Sequence, residues 1–402
     1  LYDGQRKEFG TRAFILSRSG CAGIQRYGAV LWSGDISSSW QVLRDQIVIG
    51  QEMSMSGQPW WCTDIGGFLS GRECTPELYI RWMEWGVFCS VFRTHGTRPG
   101  NEPWSFGEAA QKYIRELIRL RYRLLPYVYS LAMDCALHGV PIVRPMAWEY
   151  PDDLEAAACE GQFFFGPSLL AAPVTKMGAR TQRVYLPAGT WLHWWSGEKY
   201  NSGWHTVPAP LGRIPLFVRS GSIIPVFAHI GRNARECGGL TLLTVPEANG
   251  PDEDGAFDYY DDDGDGFAFE TGGYTHVRFR RRKDEVFAET LHGTVPQYTV
   301  LSFTPQSSGS PFTVDCSWRG GNAVITLTLL KEEGPLYARL EPESGWQVTS
   351  CTAAGGRSPD IFEQNYFSCW KGPVKGKPGD TVRWQLIHTA CARRVGIQKA
   401  RL

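Results

Sequence analysis

Four polar side chains stand where short apolar runs end in the first hundred residues. They are Arg18 after RAFILS (12–17), Asp35 after AVLWSG (29–34), Asp64 after PWWCT (59–63) and His95 after CSVFRT (89–94). In parallel α/β architectures, chemistry gathers at the carboxyl ends of the strands. Two carboxylates, a guanidinium and an imidazole on one such rim can move protons and hold hydroxyl groups. Asp35 follows Trp32-Ser33-Gly34 and precedes a helix-like segment. A carboxyl placed there can protonate a leaving oxygen where its surroundings raise its pKa. It can equally cap the helix that follows, and the spacing leaves both readings open. Asp64 precedes Ile65-Gly66-Gly67-Phe68, where paired glycines permit a tight turn and close backbone approach to a ligand. It can also serve only structure, bonded to the turn or to Arg18. Taken by residue type alone, Asp35 and Asp64 are the natural pair for splitting a glycosidic bond. A retaining mechanism needs its two carboxyl groups about 5–5.5 Å apart.

The elements that must position these groups alternate in type. Between the apolar runs lie helical patterns at 37–54, 75–89 and 106–139. A serine cluster opens the first, and Thr75-Pro76-Glu77 opens the second, both start signals. Pro126 predicts a kink or a division of the third into two helices. This alternation predicts a parallel sheet or barrel over 1–140. From 141 onwards, short alternating strands separated by Gly/Pro turns predict antiparallel β-sandwich domains: a proximal one over 141–228 and distal β structure over 229–402.

Composition narrows the partners. Lys+Arg and Asp+Glu both total 41, so the formal charge is zero and nothing draws in nucleic acid. A neutral polar substrate fits better. The sixteen Trp suit stacking on sugar rings, although most, including the WLHWW run (191–195), read as packing. The eleven cysteines form no CxxC, which supports neither zinc nor a thioredoxin motif. Cys62, Cys89 and Cys135 sit in apolar runs as small core hydrophobes, which points weakly to a reducing compartment. No apolar run reaches the roughly 18 residues of a membrane span. The acidic run at 258–265 partly matches a calcium-loop pattern, but Gly272 occupies the place of its bidentate Glu, so an acidic hairpin turn is the favoured reading.

Taken together, SRSGCAGIQRYGAVLWSGDISSSW (17–40), PWWCTDIGGF (59–68) and FRTHGTRPGNEPWSFG (92–107) resemble glycoside hydrolase family 31, the α-glucosidase and α-xylosidase family. LRYRLLPYVYSLA (120–132), GTWLHWWSG (189–197) and YYDDDGDGFAFETGGY (259–274) carry the likeness to about residue 280. The resemblance implies a (β/α)₈ TIM barrel followed by proximal and distal β domains, of which this chain holds barrel strands five to eight. It implies Asp35 as the general acid/base, with Arg18, Trp32, Asp64, Phe68 and His95 lining or supporting the subsite of the cleaved sugar. On that reading Asp64 is not the nucleophile. The family's nucleophile lies in a KTDFGE-like or WxDMNE-like segment, and no such string occurs here. The expectation is the carboxyl-terminal part of a retaining α-glycosidase, partnered by the missing first half of the barrel and a glycoside substrate, with no cofactor or metal. An α-transglycosylase or α-glucan lyase on the same scaffold, or a non-catalytic carbohydrate-binding fragment, are the competing readings.

Overall fold

The computed structural model describes residues 1–98, 100–245, 255–282 and 285–300 with their side chains, and beyond residue 300 the backbone pairing of strands. Helix α1 (Tyr2–Phe9) leads through a left-handed Gly10 into strand β1 (Ile15–Ser17). Then come β2 (Ala29–Trp32), α2 (Trp40–Met55), β3 (Trp61–Cys62) and α3 (Pro76–Gly86). The three strands pair in parallel in chain order, as a barrel segment requires. Both expected helix starts are present. The Ser39 hydroxyl accepts from the Val42 N–H to cap α2, and the Thr75 hydroxyl accepts from Leu78 to cap α3. The long helical pattern divides into α4 (Glu108–Arg123) and α5 (Leu125–His138), with Pro126 in the first turn of α5, where its missing N–H does no harm.

The fourth expected strand, at 89–94, is reduced to a single parallel bridge between Ile65 and Thr94. Val87, Phe88 and Cys89 instead close turns onto the end of α3. Their carbonyls are taken by a side chain: buried Arg121 donates to the carbonyl oxygens of Val87 and Cys89 at 2.9 Å and of Ser90 at 2.8 Å. Burial without an acidic partner pulls Arg121 down to about 10.

Strand β4 (Val143–Pro145) opens the β region, followed by α6 (Met146–Glu149) and α7 (Leu154–Ala157). β5 (Phe163–Phe165), β6 (Leu169–Ala171), β7 (Thr181–His193), β8 (Lys199–Pro208) and β9 (Leu216–Arg219) complete an antiparallel sheet of order β4-β5-β6-β9-β7-β8. β10 (Ile223–His229) leaves this sheet and pairs antiparallel with β11 (Gly238–Thr244). β11 in turn pairs in parallel with β15 (Tyr298–Ser302), so the distal region is not purely antiparallel as the turn spacing implied. Parallel neighbours need a long crossover. That crossover holds its own antiparallel sheet of β12 (Ala256–Asp262), β13 (Tyr274–Arg282) and β14 (Glu285–His292). Further on, strands Phe312–Arg319, Asn322–Leu329, Thr381–His388 and Trp346–Ala353 form an antiparallel sheet in that order.

The α/β and β regions share one core. Trp85 of α3 meets Phe163 of β5 edge-on at 4.9 Å, and Phe88 meets Phe165 at 5.3 Å. Cys62, Cys89 and Cys135 lie buried within it as small apolar groups, and burial pushes the Cys135 thiol up to about 11. The tryptophans of the WLHWW run serve packing as well. Trp191 is buried and donates to the Pro187 carbonyl, and Trp195 donates to Ile214 beneath the Arg213 guanidinium. β1 contrasts with all of this. None of its residues is buried, Phe14 beside it is 64% exposed, and its outer edge has no strand partner among the described residues. Among the described residues no helix is long and apolar enough to cross a membrane.

Candidate active site

The parallel strands deliver their polar residues to one rim. Arg18 leaves the end of β1 and its Nη1 donates to Asp35 Oδ1 at 3.2 Å. Asp35 sits three residues beyond β2, on a bend that the left-handed Gly34 allows (φ 77°). The capping role for Asp35 is excluded by position, because Ser39 caps α2. The two side chains remain accessible, at 64% for Arg18 and 45% for Asp35.

Asp64 behaves differently. It is fully buried beyond β3, and one carboxylate oxygen is held by the Arg93 guanidinium. Its other oxygen, Oδ2, meets no protein donor. Burial pushes this carboxyl above its ordinary value, while Arg93 and His95 pull it back and the charge on Asp35 adds to the rise. The structural reading that tied Asp64 to Arg18 is therefore replaced: Arg18 serves Asp35, and Arg93 serves Asp64. Arg93 also lies over the Trp32 ring at 5.6 Å, which brings the indole beside the Asp64 group. Phe68 and His95 face each other across 5.2 Å at the far side, with His95 exposed. All six residues expected from the sequence thus converge, and Arg93 is the one that sequence reasoning missed. Its signal was available: in extended chain, residues 93 and 95 share a face.

The rim is braced by the turn after Asp64. Gly66 and Gly67 both have positive φ (86° and 80°). The close approach they permit is to protein rather than to open space. A Cβ on Gly67 would lie 2.6 Å from the backbone of Ser38, whose hydroxyl donates to the Gly66 carbonyl at 2.6 Å. Arg98 donates to the carbonyls of Ile65 at 3.0 Å and Gly67 at 2.6 Å. Tyr79, stacked on Phe106 at 3.8 Å, donates to the Asn101 carbonyl, so the loop after His95 is pinned from below. Gly67→Ala should therefore lower stability by about 1–3 kcal/mol, from left-handed strain and a backbone clash together. A thermal melt like that of the parent would refute this packing.

The acidic run forms the turn of the β12–β13 hairpin. Asp263 accepts from the N–H groups of Asp265 and Gly266, and Asp262 is taken up by Arg12 and two tyrosines. No group of three metal-ligating side chains gathers among the described residues.

Parallel strands that end in acid, guanidinium and aromatic groups, backed by an antiparallel β region, define the class: an α/β protein with polar groups gathered at the carboxyl ends of its parallel strands. The comparisons with known proteins agree. Residues 1–131 match the glycosyl hydrolases family 31 TIM-barrel domain, and residues 139–224 match the glycosyl hydrolase family 31 C-terminal domain. An α-xylosidase of Saccharolobus solfataricus is 42% identical over 279 residues, which is 68% of this chain and 38% of that protein. Alpha-glucosidase 2 of Bacillus thermoamyloliquefaciens is 36% identical over 281 residues, 69% of this chain and 35% of that protein. The crystal structure of the family 31 α-xylosidase from Xanthomonas citri superposes with a TM-score of 0.70 at 35% identity, covering 76% of this chain and 35% of its own. The chain belongs to glycoside hydrolase family 31, a family of glycosidases, and it spans little more than a third of the length of the curated relatives it matches.

Proposed function

We propose that residues 1–140 supply strands five to eight of a (β/α)₈ barrel in a retaining α-glycosidase, with proximal (141–228) and distal (229–402) β regions behind them. The substrate class is an α-xyloside or α-glucoside cleaved from its non-reducing end. Asp35 is the general acid/base: it gives its proton to the departing glycosidic oxygen, then takes one from the water that releases the sugar. Arg18, Trp32, Asp64, Phe68 and His95 form part of the cleaved sugar's subsite. Arg93 holds the Asp64 carboxylate within it. The nucleophile is not among residues 1–402 and comes from the first half of the barrel. The observation that carries the reading is the accessible Arg18–Asp35 pair close to the buried Asp64 carboxylate, which Arg93 holds.

The test is an assay of the pure chain on p-nitrophenyl α-xyloside and α-glucoside, alone and after co-expression with a family 31 first-half barrel polypeptide carrying the nucleophile. The chain alone should show no turnover, and the assembled protein should hydrolyse one glycoside with retention. Clear turnover by the chain alone would overturn the assignment of the nucleophile. Product analysis separates hydrolysis from sugar transfer to an acceptor and from elimination.

A further inference from the structure

The acidic hairpin turn has no part in the proposed chemistry, yet it holds the segment that carries Arg18. Asp262 is the hub. Its side chain is 2% exposed and accepts from Arg12 Nη2 at 2.8 Å, Tyr129 Oη at 2.6 Å, Tyr260 Oη at 2.9 Å and the Gly264 N–H at 2.7 Å. Arg12 is gripped from every side. Its backbone N–H donates to the Asp265 carbonyl at 2.8 Å, its Nε to the Gly266 carbonyl at 2.7 Å and its Nη1 to Tyr129 Oη at 2.6 Å, while Phe269 lies 4.6 Å beneath it. One turn earlier in the chain, Arg6 pairs with Glu270 and lies over Phe267 at 4.0 Å. These contacts join positions some 250 residues apart.

Within residues 1–402 these contacts are what tie the segment to the distal hairpin. α1 and β1 bury no residue, and β1 has a ladder on one side only, to β2. Five residues lie between Arg12 and Arg18. A strand slipping by one residue moves its side chains by ~3.3 Å and turns each to the opposite face. Either change breaks a 3.2 Å contact between Arg18 and Asp35.

We infer that Asp262 and Arg12 are positioning residues: the distal hairpin clasps the entry to β1 and thereby sets Arg18 in register with the acid/base Asp35. The inference rests on the reading of Asp35 given above, but its test does not depend on turnover. It gives the acidic string a role in which Asp262, between the positions that a calcium loop would use as ligands, takes a guanidinium instead. Burial pulls the Asp262 carboxyl up, and the hydrogen bonds from Tyr129 and Arg12 outweigh it and hold it below its ordinary value, as an ion pair requires.

The experiment compares the 402-residue chain with Asp262→Asn and Arg12→Lys. It has three readouts: hydrogen exchange of residues 13–19, the rate of p-hydroxyphenylglyoxal modification at Arg18, and the melting temperature. Asp35→Asn calibrates the second, because it gives the rate for an Arg18 without its carboxylate. Both clasp variants should exchange 13–19 roughly tenfold faster and should modify Arg18 at the Asp35→Asn rate. Exchange in β2 and β3 should stay at parental values even where the melt falls with the loss of the buried carboxylate's hydrogen bonds. Parental Arg18 reactivity in both variants would overturn the inference. So would a fall in melting temperature with β2 and β3 exchanging faster, since that marks a purely structural clasp. Loss of the catalytic reading would instead appear in the assembled enzyme's assay and leave these rates untouched.

Discussion

Arg81→Ala should lower the apparent melting temperature by on the order of 10 °C, a larger fall than other single substitutions on α3. Arg81 and Glu84 are both fully buried where α3 meets the loop that enters β9. Arg81 Nη1 lies 3.0 and 2.9 Å from the two Glu84 oxygens, and Nη2 donates to the carbonyls of Ala179 at 3.0 Å and Ala209 at 2.7 Å. The Gly212 N–H donates to Glu84 at 2.8 Å. The pair thus spans the joint between the α/β and β regions. Removing Arg81 orphans two buried carbonyls and leaves Glu84 to bury its carboxyl without its partner, protonating to do so, at a cost of about 3–5 kcal/mol. A melt within about 2 °C of the parent would mean that the joint is held by its aromatic packing alone.

The same pair sets a pH dependence. Burial pushes the Glu84 carboxyl up to about 7 from its ordinary 4.5, with Arg81 opposing the rise. Between those values the folded chain binds the proton more tightly than the unfolded chain. Glu84's contribution is therefore whole below its ordinary pKa and is lost as pH rises through 7. The melting temperature should carry a component that falls from about pH 5 to about pH 8, absent in Glu84→Gln.

What the sequence made legible was local. Ser39 and Thr75 announce their helices because a cap needs only a hydroxyl and the next few amides. Pro126 divides its helix for an equally local reason, and the strand-end positions of Arg18, Asp35 and Asp64 follow from apolar runs ending in polar residues, whereas the run before His95 keeps a single bridge. What stayed hidden was the choice of partner. Nothing within a few residues of Asp64 tells whether Arg18 or Arg93 will hold it, since both guanidinium groups stand at the same rim. Likewise the carbonyls of Cys89 and Ser90 look like strand carbonyls until Arg121, more than thirty residues on, takes them. The acidic run reads as a candidate cation loop because its carboxylates are visible and the Arg12 that satisfies one of them is 250 residues away. Long side chains that reach across the chain carry these pairings, and no periodicity records them.

Asp35→Ala in the assembled enzyme should cost about 10²–10⁴ in kcat/KM on glycosides with poor leaving groups, where bond breaking needs a proton. On a 2,4-dinitrophenyl glycoside, whose leaving group departs without help, formation of the glycosyl intermediate should be nearly spared. Its breakdown should then limit turnover, because water has lost its base. Azide needs no base, so it should restore the rate and yield a glycosyl azide of retained configuration. Asp64→Asn should show neither the leaving-group dependence nor the rescue. Its carboxylate is fully buried and tied to Arg93, so its loss weakens sugar binding for every leaving group alike. Asp35, at 45% exposure beside Arg18, is the carboxylate that an exocyclic oxygen and then a water can both reach. Azide rescue of Asp64→Asn but not of Asp35→Ala would transfer the acid/base role to the buried carboxylate, and an accessible Asp35 would then be no more than Arg18's counter-ion.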